Sequence, residues 1–465
     1  MHPSLEYALV CLVAAGACFL LTPIARVVAV KVGAVAKPRD RDVHTEVRPR
    51  MGGVAICAGF AVAIGLAREM PTLRTAFGSG PNFAWIVAAA IGLCALGVVD
   101  DRFNLDAPTK LAGQVTAAGV MVIKGGVQMA FVHVPGMGTI SLGADLGVPL
   151  TILLTVVLIN ALNFIDGLDG LAAGMSVISS AAFFVFCYHL ATVGITDVWA
   201  APTLMTAALG GACLGFLPHN FWPAKVFMGD SGSMVIGLLL AAAATTTTTS
   251  LNPESLGMTG SFALLLPLLI PLAVMAVPFV DFALAVVRRM SRLQSPFAAD
   301  KDHLHHMLLR MGHSHRRTVL LLYYWSVLLS FAGVAVGIST KAWPVEVAVG
   351  ALVIVGVLLL AEPRLRRGRR PRRDRAARDE PRPPLEPAAA RRVEPDDARL
   401  WESAETSHWQ AAADHCGAVV RKATESATPT KPNKPTNPNK PTKPTKPSEW
   451  SEPAGSGEHR MGSGR

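Results

Sequence analysis

Apolar runs of membrane-spanning length recur along this chain, and they constrain its fold more than any other feature. Eleven such runs cover residues 5–30, 51–67, 83–99, 111–123, 148–162, 171–193, 201–217, 234–249, 262–287, 319–338 and 345–361. A helix needs about 20 mainly apolar residues to cross the hydrocarbon core of a bilayer. Backbone groups in that core must bond within their own segment. The pattern therefore predicts an all-α, polytopic integral membrane protein with about 11 transmembrane helices.

Composition excludes an ordinary soluble enzyme. Only 16% of the 465 residues are charged, whereas an average soluble domain has about 25%. The formal net charge is +10, but most of the excess lies in residues 362–465, so it does not indicate a nucleic-acid partner. The seven cysteines form no C-x-x-C pair, which argues against a thiolate metal site or a disulfide framework.

The distribution of basic residues predicts the orientation. If the N-terminus faces outside, the outer side holds few basic residues before the tail, namely Arg68, Arg74, Lys124 and Lys341. Cytoplasmic loops of membrane proteins carry an excess of Lys and Arg, so we expect the N-terminus outside and the C-terminus in the cytoplasm. Residues 1–361 are then a transmembrane domain, and residues 362–465 are a basic, proline-rich, disordered cytoplasmic tail.

Two polar islands carry carboxylates and amides at predicted cytoplasmic helix ends. VVDDRFNLDAPTKL holds the adjacent pair Asp100 and Asp101, which repel each other beside a bilayer unless a cation or a proton-transfer role accounts for them. NALNFIDGLDGL places a polar side chain at every third position, at Asn160, Asn163, Asp166 and Asp169. Oxygen donors of this kind suit Mg²⁺ better than Zn²⁺.

Three further islands could bind anions on the same side. VFMGDSGSMVIG sets Asp230 in a glycine-rich turn, which can offer backbone N–H groups to a phosphate. AKPRDRDVHTEVRPRMGGVAI contributes His44 and several arginines. SPFAADKDHLHHMLLRMGHSHRR contributes His303, His305 and His306. A zinc site is conceivable there, but the chain has no H-E-x-x-H motif, and we favour binding of a diphosphate by these histidines and the nearby arginines.

From residues alone, the sequence thus predicts Mg²⁺-dependent chemistry on a diphosphate, with a lipid substrate arriving from the bilayer. The five islands, in this order, resemble the polyprenyl-phosphate N-acetylhexosamine-1-phosphate transferase family over about residues 5–360. The motifs that carry the resemblance are H-x4-P-R-M-G-G, DDRFNL, NFIDGLDGL, GDSGS and HLHH. This resemblance implies transfer of a sugar 1-phosphate from a UDP-sugar to a membrane polyprenyl phosphate, with release of UMP.

The resemblance also implies roles for individual residues. Asp230 is the leading Mg²⁺ (or Mn²⁺) ligand, and Asn163 is a second. Asp100 deprotonates or orients the lipid phosphate, and Asp101 supports it or the metal. The remaining residues bind the nucleotide, the diphosphate or the sugar, and they are His44, Lys110, Asn160, Asp166, Asp169, His303, His305 and His306. Both a one-step displacement, which we favour, and a covalent aspartyl intermediate are open.

Two branches of this family differ in their donor. The strings EVRPRMGG and DKDHLHHMLLRMGH resemble the branch that uses UDP-N-acetylglucosamine and starts cell-envelope polysaccharide synthesis. The alternative is phospho-MurNAc-pentapeptide transfer in peptidoglycan synthesis. The resemblance implies a bacterial plasma-membrane protein with its active site on the cytoplasmic face, and a homodimer is one option for its assembly. The rivals from other classes are an aspartate-rich intramembrane prenyltransferase and a transporter.

Overall fold

The computed structural model describes residues 3–36, 48–78, 80–134, 138–193, 201–250, 313–338 and 347–356, with the single positions 269 and 359. These residues form helices joined by short turns. The helices are α1 (Pro3–Val32), α2 (Gly52–Glu69), α3 (Phe83–Phe103), α4 (Ala107–Ile123), α5 (Ala144–Ile165), α6 (Leu171–Thr192), α7 (Ala201–Asn220), α8 (Asp230–Ser250), α9 (His315–Ile338) and α10 (Val347–Gly356). All of them lie in the compact unit Met1–Arg375.

Short strands and a 3₁₀ helix complete the described part. The strands β1 (Val35–Ala36) and β2 (Arg48–Pro49) pair antiparallel between α1 and α2. The strands β3 (Phe131–Val134) and β4 (Gly138–Ser141) form a hairpin between α4 and α5. A 3₁₀ helix, Leu73–Phe77, follows α2, and Glu6 of α1 caps it by accepting hydrogen bonds from the backbone N–H of Thr72 and Leu73 at 3.1 and 3.0 Å.

The polytopic, mainly helical architecture is confirmed. Among the described residues, eight helices are long and apolar enough to cross a membrane, and they are α1, α2, α3, α5, α6, α7, α8 and α9. The predicted run 111–123 corresponds to α4, which has 17 residues. Apart from position 269, the predicted run 262–287 lies outside the described residues, as does the tail 362–465, and α10 covers part of the run 345–361. The count of eleven and the orientation stay predictions.

The outer helices present large apolar side chains to their surroundings. On α1, Leu12, Leu20 and Ile24 are 68%, 69% and 59% exposed. A contiguous apolar face of this size is unfavourable in water but matches a helix surface in contact with lipid chains. The structure therefore agrees with the membrane prediction in the faces of its helices as well as in their lengths.

Helix α8 is enclosed by the other helices, and its side chains are buried from Ser231 to Thr248. It packs against α2, α3, α5 and α7. Its composition explains this position, because glycine, alanine and threonine let neighbouring backbones approach closely. In its threonine-rich last part, Thr247 and Thr248 donate their hydroxyls to the carbonyls of Ala243 and Ala244 at 2.7 and 2.9 Å, which satisfies these polar groups inside the bundle.

The start of α8 meets two neighbours through the backbone. A Cβ atom on Gly97 of α3 would lie 2.3 Å from Cα of Ser231. The segment that leads into α8 is bonded to the start of α2, where the N–H groups of Gly52 and Gly53 donate to the carbonyls of Phe227 and Met228, each at 3.0 Å. The first turn of α8 is thus fixed against α2 and α3 without intervening side chains.

This packing predicts that Gly97→Ala destabilises the protein by about 1–3 kcal/mol, the usual range for an overpacked core. The matched control is Gly92→Ala on the same helix, where an added Cβ would meet nothing within 4 Å and alanine favours the helix. Thermal unfolding in detergent should show a clear loss for Gly97→Ala and none for Gly92→Ala. Equal melting temperatures for the two variants would contradict the close contact between α3 and α8.

Candidate active site

Four helix ends bring the predicted polar islands together at one end of the bundle. Asp100 and Asp101 lie in the last turn of α3, and Lys110 lies in the first turn of α4. Asn163 lies in the last turn of α5, and Asp230 begins α8. Helices that run in alternating directions place these ends side by side, so residues up to 130 positions apart come into contact.

The centre of this group is the ammonium of Lys110, which lies between two carboxylates. Its Nζ is 2.6 Å from Oδ2 of Asp100 and 3.0 Å from Oδ2 of Asp230. The other oxygen of Asp100 accepts a hydrogen bond from the backbone N–H of Leu105 at 2.7 Å. This contact is possible because Asn104 ends α3 in the left-handed conformation, with φ of 52°, and turns the chain back over Asp100.

Asp101 has a different task from its neighbour Asp100. Its side chain is buried, and its two oxygens accept hydrogen bonds from the backbone N–H groups of Asp230 at 3.0 Å and Ser231 at 3.3 Å. A carboxylate at this position satisfies unpaired N–H groups and is favoured by the positive end of the helix dipole. Asp101 is therefore the N-terminal cap of α8, the helix that carries Asp230.

The glycine-rich turn before α8 exists as predicted, but its N–H groups are used differently. Gly229 has φ of 70°, and a Cβ atom there would lie 2.4 Å from Oδ2 of Asp101. Glycine thus provides both the left-handed turn and the space for the capping carboxylate. The prediction that these N–H groups face a phosphate is wrong for Asp230 and Ser231, because they bind Asp101 instead.

The NFIDGLDGL island opens between two helices, since α5 ends at Ile165 and α6 begins at Leu171. Before the opening, the amide nitrogen of Asn163 donates to the hydroxyl of Ser233 at 3.0 Å. Asn160 donates to Oε1 of Gln114 on α4 at 2.7 Å. Both amides therefore connect α5 to helices that carry the central charged residues.

Asp166 lies directly after α5 and is partly buried near the other carboxylates. Burial raises its pKa to about 7, and the charges of Asp230 and Asp101 act in the same direction. The guanidinium of Arg50, which lies just before α2, opposes this rise. Asp166 therefore lies at a position that combines burial with the negative charges of two neighbouring carboxylates.

Asp169 anchors the loop between α5 and α6. Its side chain is 3% exposed, and its Oδ2 accepts a hydrogen bond from the backbone N–H of Ala224 at 2.9 Å. The next residue, Gly170, donates its N–H to Asn220 at 3.1 Å. Asp169 thus ties this loop to the segment that leads into α8, and a direct contact with a nucleotide stays a prediction.

The predicted histidines His44, His303, His305 and His306 lie outside the described residues. The chain re-enters the described part at His313, and α9 then packs on the same loops. The ring of His315 stacks on Trp222, with centroids 4.1 Å apart. The hydroxyl of Tyr323 donates to the carbonyl of Gly170. The end of the histidine-rich string therefore lies against the segment between α7 and α8.

Gln114 was not among the predicted site residues. It is buried and accepts the hydrogen bond from Asn160. Its amide nitrogen lies 3.5 Å from the sulfur of Met234. The signal available in the sequence was its spacing, because Gln114 follows Lys110 by four positions and so shares its face of α4.

The donor chemistry fits a divalent cation that a substrate would help to hold. Within the described ranges, no three His, Cys, Asp or Glu side chains converge as a complete metal site. Asp100 and Asp230 nevertheless already share one cationic group, the ammonium of Lys110. Mg²⁺ usually takes one or two carboxylates and completes its shell with water and substrate phosphates. The amide of Asn163 would have to turn over to offer its oxygen.

Comparison with known proteins gives the family. The model of glycosyl transferase family 4 matches residues 83–248. Decaprenyl-phosphate N-acetylglucosaminephosphotransferase of Mycolicibacterium smegmatis is 46% identical over 369 residues, which are 79% of this chain and 90% of that protein. The enzyme of the same name from Mycobacterium tuberculosis strain H37Rv is 45% identical and is covered to 91%. The chain belongs to glycosyl transferase family 4.

A more distant relative of glycosyl transferase family 4 extends the comparison beyond mycobacteria. The probable undecaprenyl-phosphate N-acetylglucosaminyl 1-phosphate transferase of Bacillus subtilis is 34% identical over 321 residues, which are 69% of this chain and 82% of that protein. The family match over residues 83–248 spans α3 to α8 and so contains Asp100, Asp101, Lys110, Asn163 and Asp230. The expected family is therefore confirmed.

The raised pKa of Asp166 predicts a signed pH dependence of stability. Its ordinary value is 3.8 and its value in the folded protein is about 7. Because the folded protein holds this proton more tightly than the unfolded chain, the proton stabilises the fold fully below the ordinary pKa. This stabilisation is lost as the pH rises through the pKa of the folded protein. With a chelator present, the melting temperature of the wild type should fall relative to that of Asp166→Asn between about pH 4 and about pH 7. A difference that does not change with pH would contradict the placement of Asp166 among the carboxylates.

Proposed function

We propose that the chain transfers N-acetylglucosamine 1-phosphate from UDP-N-acetylglucosamine to a membrane polyprenyl phosphate and releases UMP. The observation that carries the proposal is the contact of Asp100, Lys110 and Asp230 at the end of a bundle of apolar helices. This arrangement offers carboxylates and an ammonium to phosphate groups at the edge of a bilayer. The names of the relatives supply the lipid acceptor, decaprenyl or undecaprenyl phosphate, and the transferred N-acetylglucosamine phosphate.

The reaction exchanges one diphosphate linkage for another. An oxygen of the lipid phosphate forms a bond to the phosphorus that carries the sugar, and the bond from this phosphorus to the oxygen of UMP breaks. UMP leaves with the bonding electrons, and the product is a lipid-linked diphosphate sugar. The phosphoryl group needs positioning and charge neutralisation more than covalent help, so we favour a single displacement over an aspartyl intermediate.

The described residues divide this work among them. Asp100 is placed to orient the lipid phosphate or to accept its proton. Asp230, with Asn163 as a second ligand, would hold Mg²⁺ or Mn²⁺, which neutralises charge on the diphosphate when bound. Lys110 supplies a flexible cation for a phosphate oxygen. Asp101 acts on the site through the backbone of α8.

The distribution of basic residues supports a cytoplasmic site in a bacterial plasma membrane. Arg102 lies at the same end of the bundle as the carboxylates, and it donates to the carbonyl of Val32 at the end of α1 at 2.7 Å. Arg68 lies in the last turn of α2, Arg74 lies in the 3₁₀ helix that follows, and Lys124 directly follows α4, all at the opposite end of the bundle. By the positive-inside rule, the end with the carboxylates is expected to face the cytoplasm together with residues 37–47 and the basic tail.

The donor can be tested by measuring UMP release from purified protein with Mg²⁺ and a polyprenyl phosphate. We expect UMP with UDP-N-acetylglucosamine and none with UDP-MurNAc-pentapeptide. UMP from the second donor alone would move the chain to peptidoglycan synthesis. Release of inorganic diphosphate instead of UMP would indicate a prenyltransferase, and the absence of any product from folded protein would contradict the proposal.

Site variants connect this activity to the described geometry. Asp100→Asn and Asp230→Asn should each lower kcat by at least about a hundredfold, since each removes a charge that contacts the reacting groups. The matched control is Asp145→Asn, because Asp145 is exposed in the first turn of α5, at the far end from Asn163. Rates like those of the wild type in either site variant would contradict the assigned roles.

A further inference from the structure

We infer that Lys110 is a built-in counter-cation of the pair Asp100 and Asp230, and that it competes with a divalent cation for their oxygens. This role of Lys110 rests on the proposed function for the identity of the donor diphosphate. It concerns the order of events at the site, in which a divalent cation binds well only when the ammonium has another anion to contact.

The geometry makes the two cations exclusive. One Nζ lies 2.6 Å from Asp100 Oδ2 and 3.0 Å from Asp230 Oδ2, so both contacts use the oxygens that face each other. The other oxygen of Asp100 is held by the N–H of Leu105. A Mg²⁺ ion on these facing oxygens would lie about 2.1 Å from them, where it would overlap the ammonium and repel its charge.

Of the three groups, Lys110 has the longest side chain and the largest exposed fraction, since the side chain of Asp230 is 24% exposed and stands on a short stem at the capped start of α8. The side chain of Asp100 is only 6% exposed, and its carboxylate is fixed by the turn after α3. The side chain of Lys110 is 29% exposed and approaches from the first turn of α4 on a flexible four-carbon stem. Displacement therefore moves the ammonium toward solvent and leaves the carboxylates in place.

Two consequences follow for binding. Without a divalent cation, the ammonium offsets the repulsion between the two carboxylates, so the fold does not depend on the metal. A donor diphosphate offers the displaced ammonium new oxygen partners, so donor and divalent cation should each increase the affinity for the other. The residue thus makes the protein alone a weak binder of the metal.

The test is the affinity of the protein alone for Mn²⁺, followed by electron paramagnetic resonance, in the wild type and in Lys110→Gln. We expect Lys110→Gln to bind Mn²⁺ at least about tenfold more tightly, which corresponds to the loss of one competing ion pair. Without divalent cations, the variant should melt at a lower temperature than the wild type, and saturating Mn²⁺ should remove most of this difference. The variant can be purified with Mn²⁺ and then dialysed.

Three further proteins make the result specific. Lys110→Met keeps the stem without the charge and should gain affinity as Lys110→Gln does. It is the second neutral variant in case Lys110→Gln folds poorly. Lys110→Arg keeps the charge and should not gain affinity. Lys124→Gln removes a lysine at the other end of α4, where the side chain is exposed, and should bind Mn²⁺ like the wild type.

Equal or weaker Mn²⁺ binding in both neutral variants would overturn the inference, as would the absence of Mn²⁺ binding in every protein. Neither result depends on turnover, because the affinity is measured without donor or lipid. Failure of the proposed function would instead be seen as a lack of UMP from folded wild-type protein, even when the Mn²⁺ affinities of the wild type and of the variants are those expected. The two proposals can therefore fail separately.

Discussion

The hydrogen bonds from the first turn of α8 to the carboxylate of Asp101 hold the rest of the site in place. They fix the position of Asp230, the residue from which they start, relative to the end of α3. A charged cap is a strong anchor because the donors belong to the positive end of a helix dipole. Close packing of Gly97 against the same turn removes the remaining freedom. The distance between Asp100 and Asp230, and hence the place of Lys110, depends on this junction.

The carboxylates of the site have separate tasks that are set by their partners. Asp101 and Asp169 are buried and accept backbone N–H groups, and they hold the start of α8 and the loop between α5 and α6 in position. Asp100 and Asp230 share a mobile ammonium and are the ones that can exchange it for a metal or a substrate. Asp166 has a pKa raised to about 7 by burial and by its charged neighbours. A cluster of carboxylates at one end of the bundle favours the binding of cations there.

Much of this arrangement could be predicted from the sequence. The apolar runs gave the described helices to within a few residues, and the motif order indicated which ends carry chemistry. The pairing of Asp101 with the N-terminus of α8 could not be predicted, because it joins residues 129 and 130 positions apart through backbone atoms that have no residue-specific signal. Gln114 could have been found from its position four residues after Lys110, but its contact with Asn160 on another helix could not be predicted. Spacing predicts a shared face of one helix but not the register between two.

The proposed reaction breaks the diphosphate linkage of the donor, and labelled UDP-N-acetylglucosamine tests this most directly. Two preparations would carry radioactive phosphorus either next to the sugar or next to the uridine. We expect the first label to pass into the lipid fraction together with the sugar and the second to appear in UMP. If both labels stayed in water as UDP while the sugar alone entered the lipid, the chain would transfer a sugar and not a sugar phosphate, and the roles given to Asp100, Lys110 and Asp230 would be wrong.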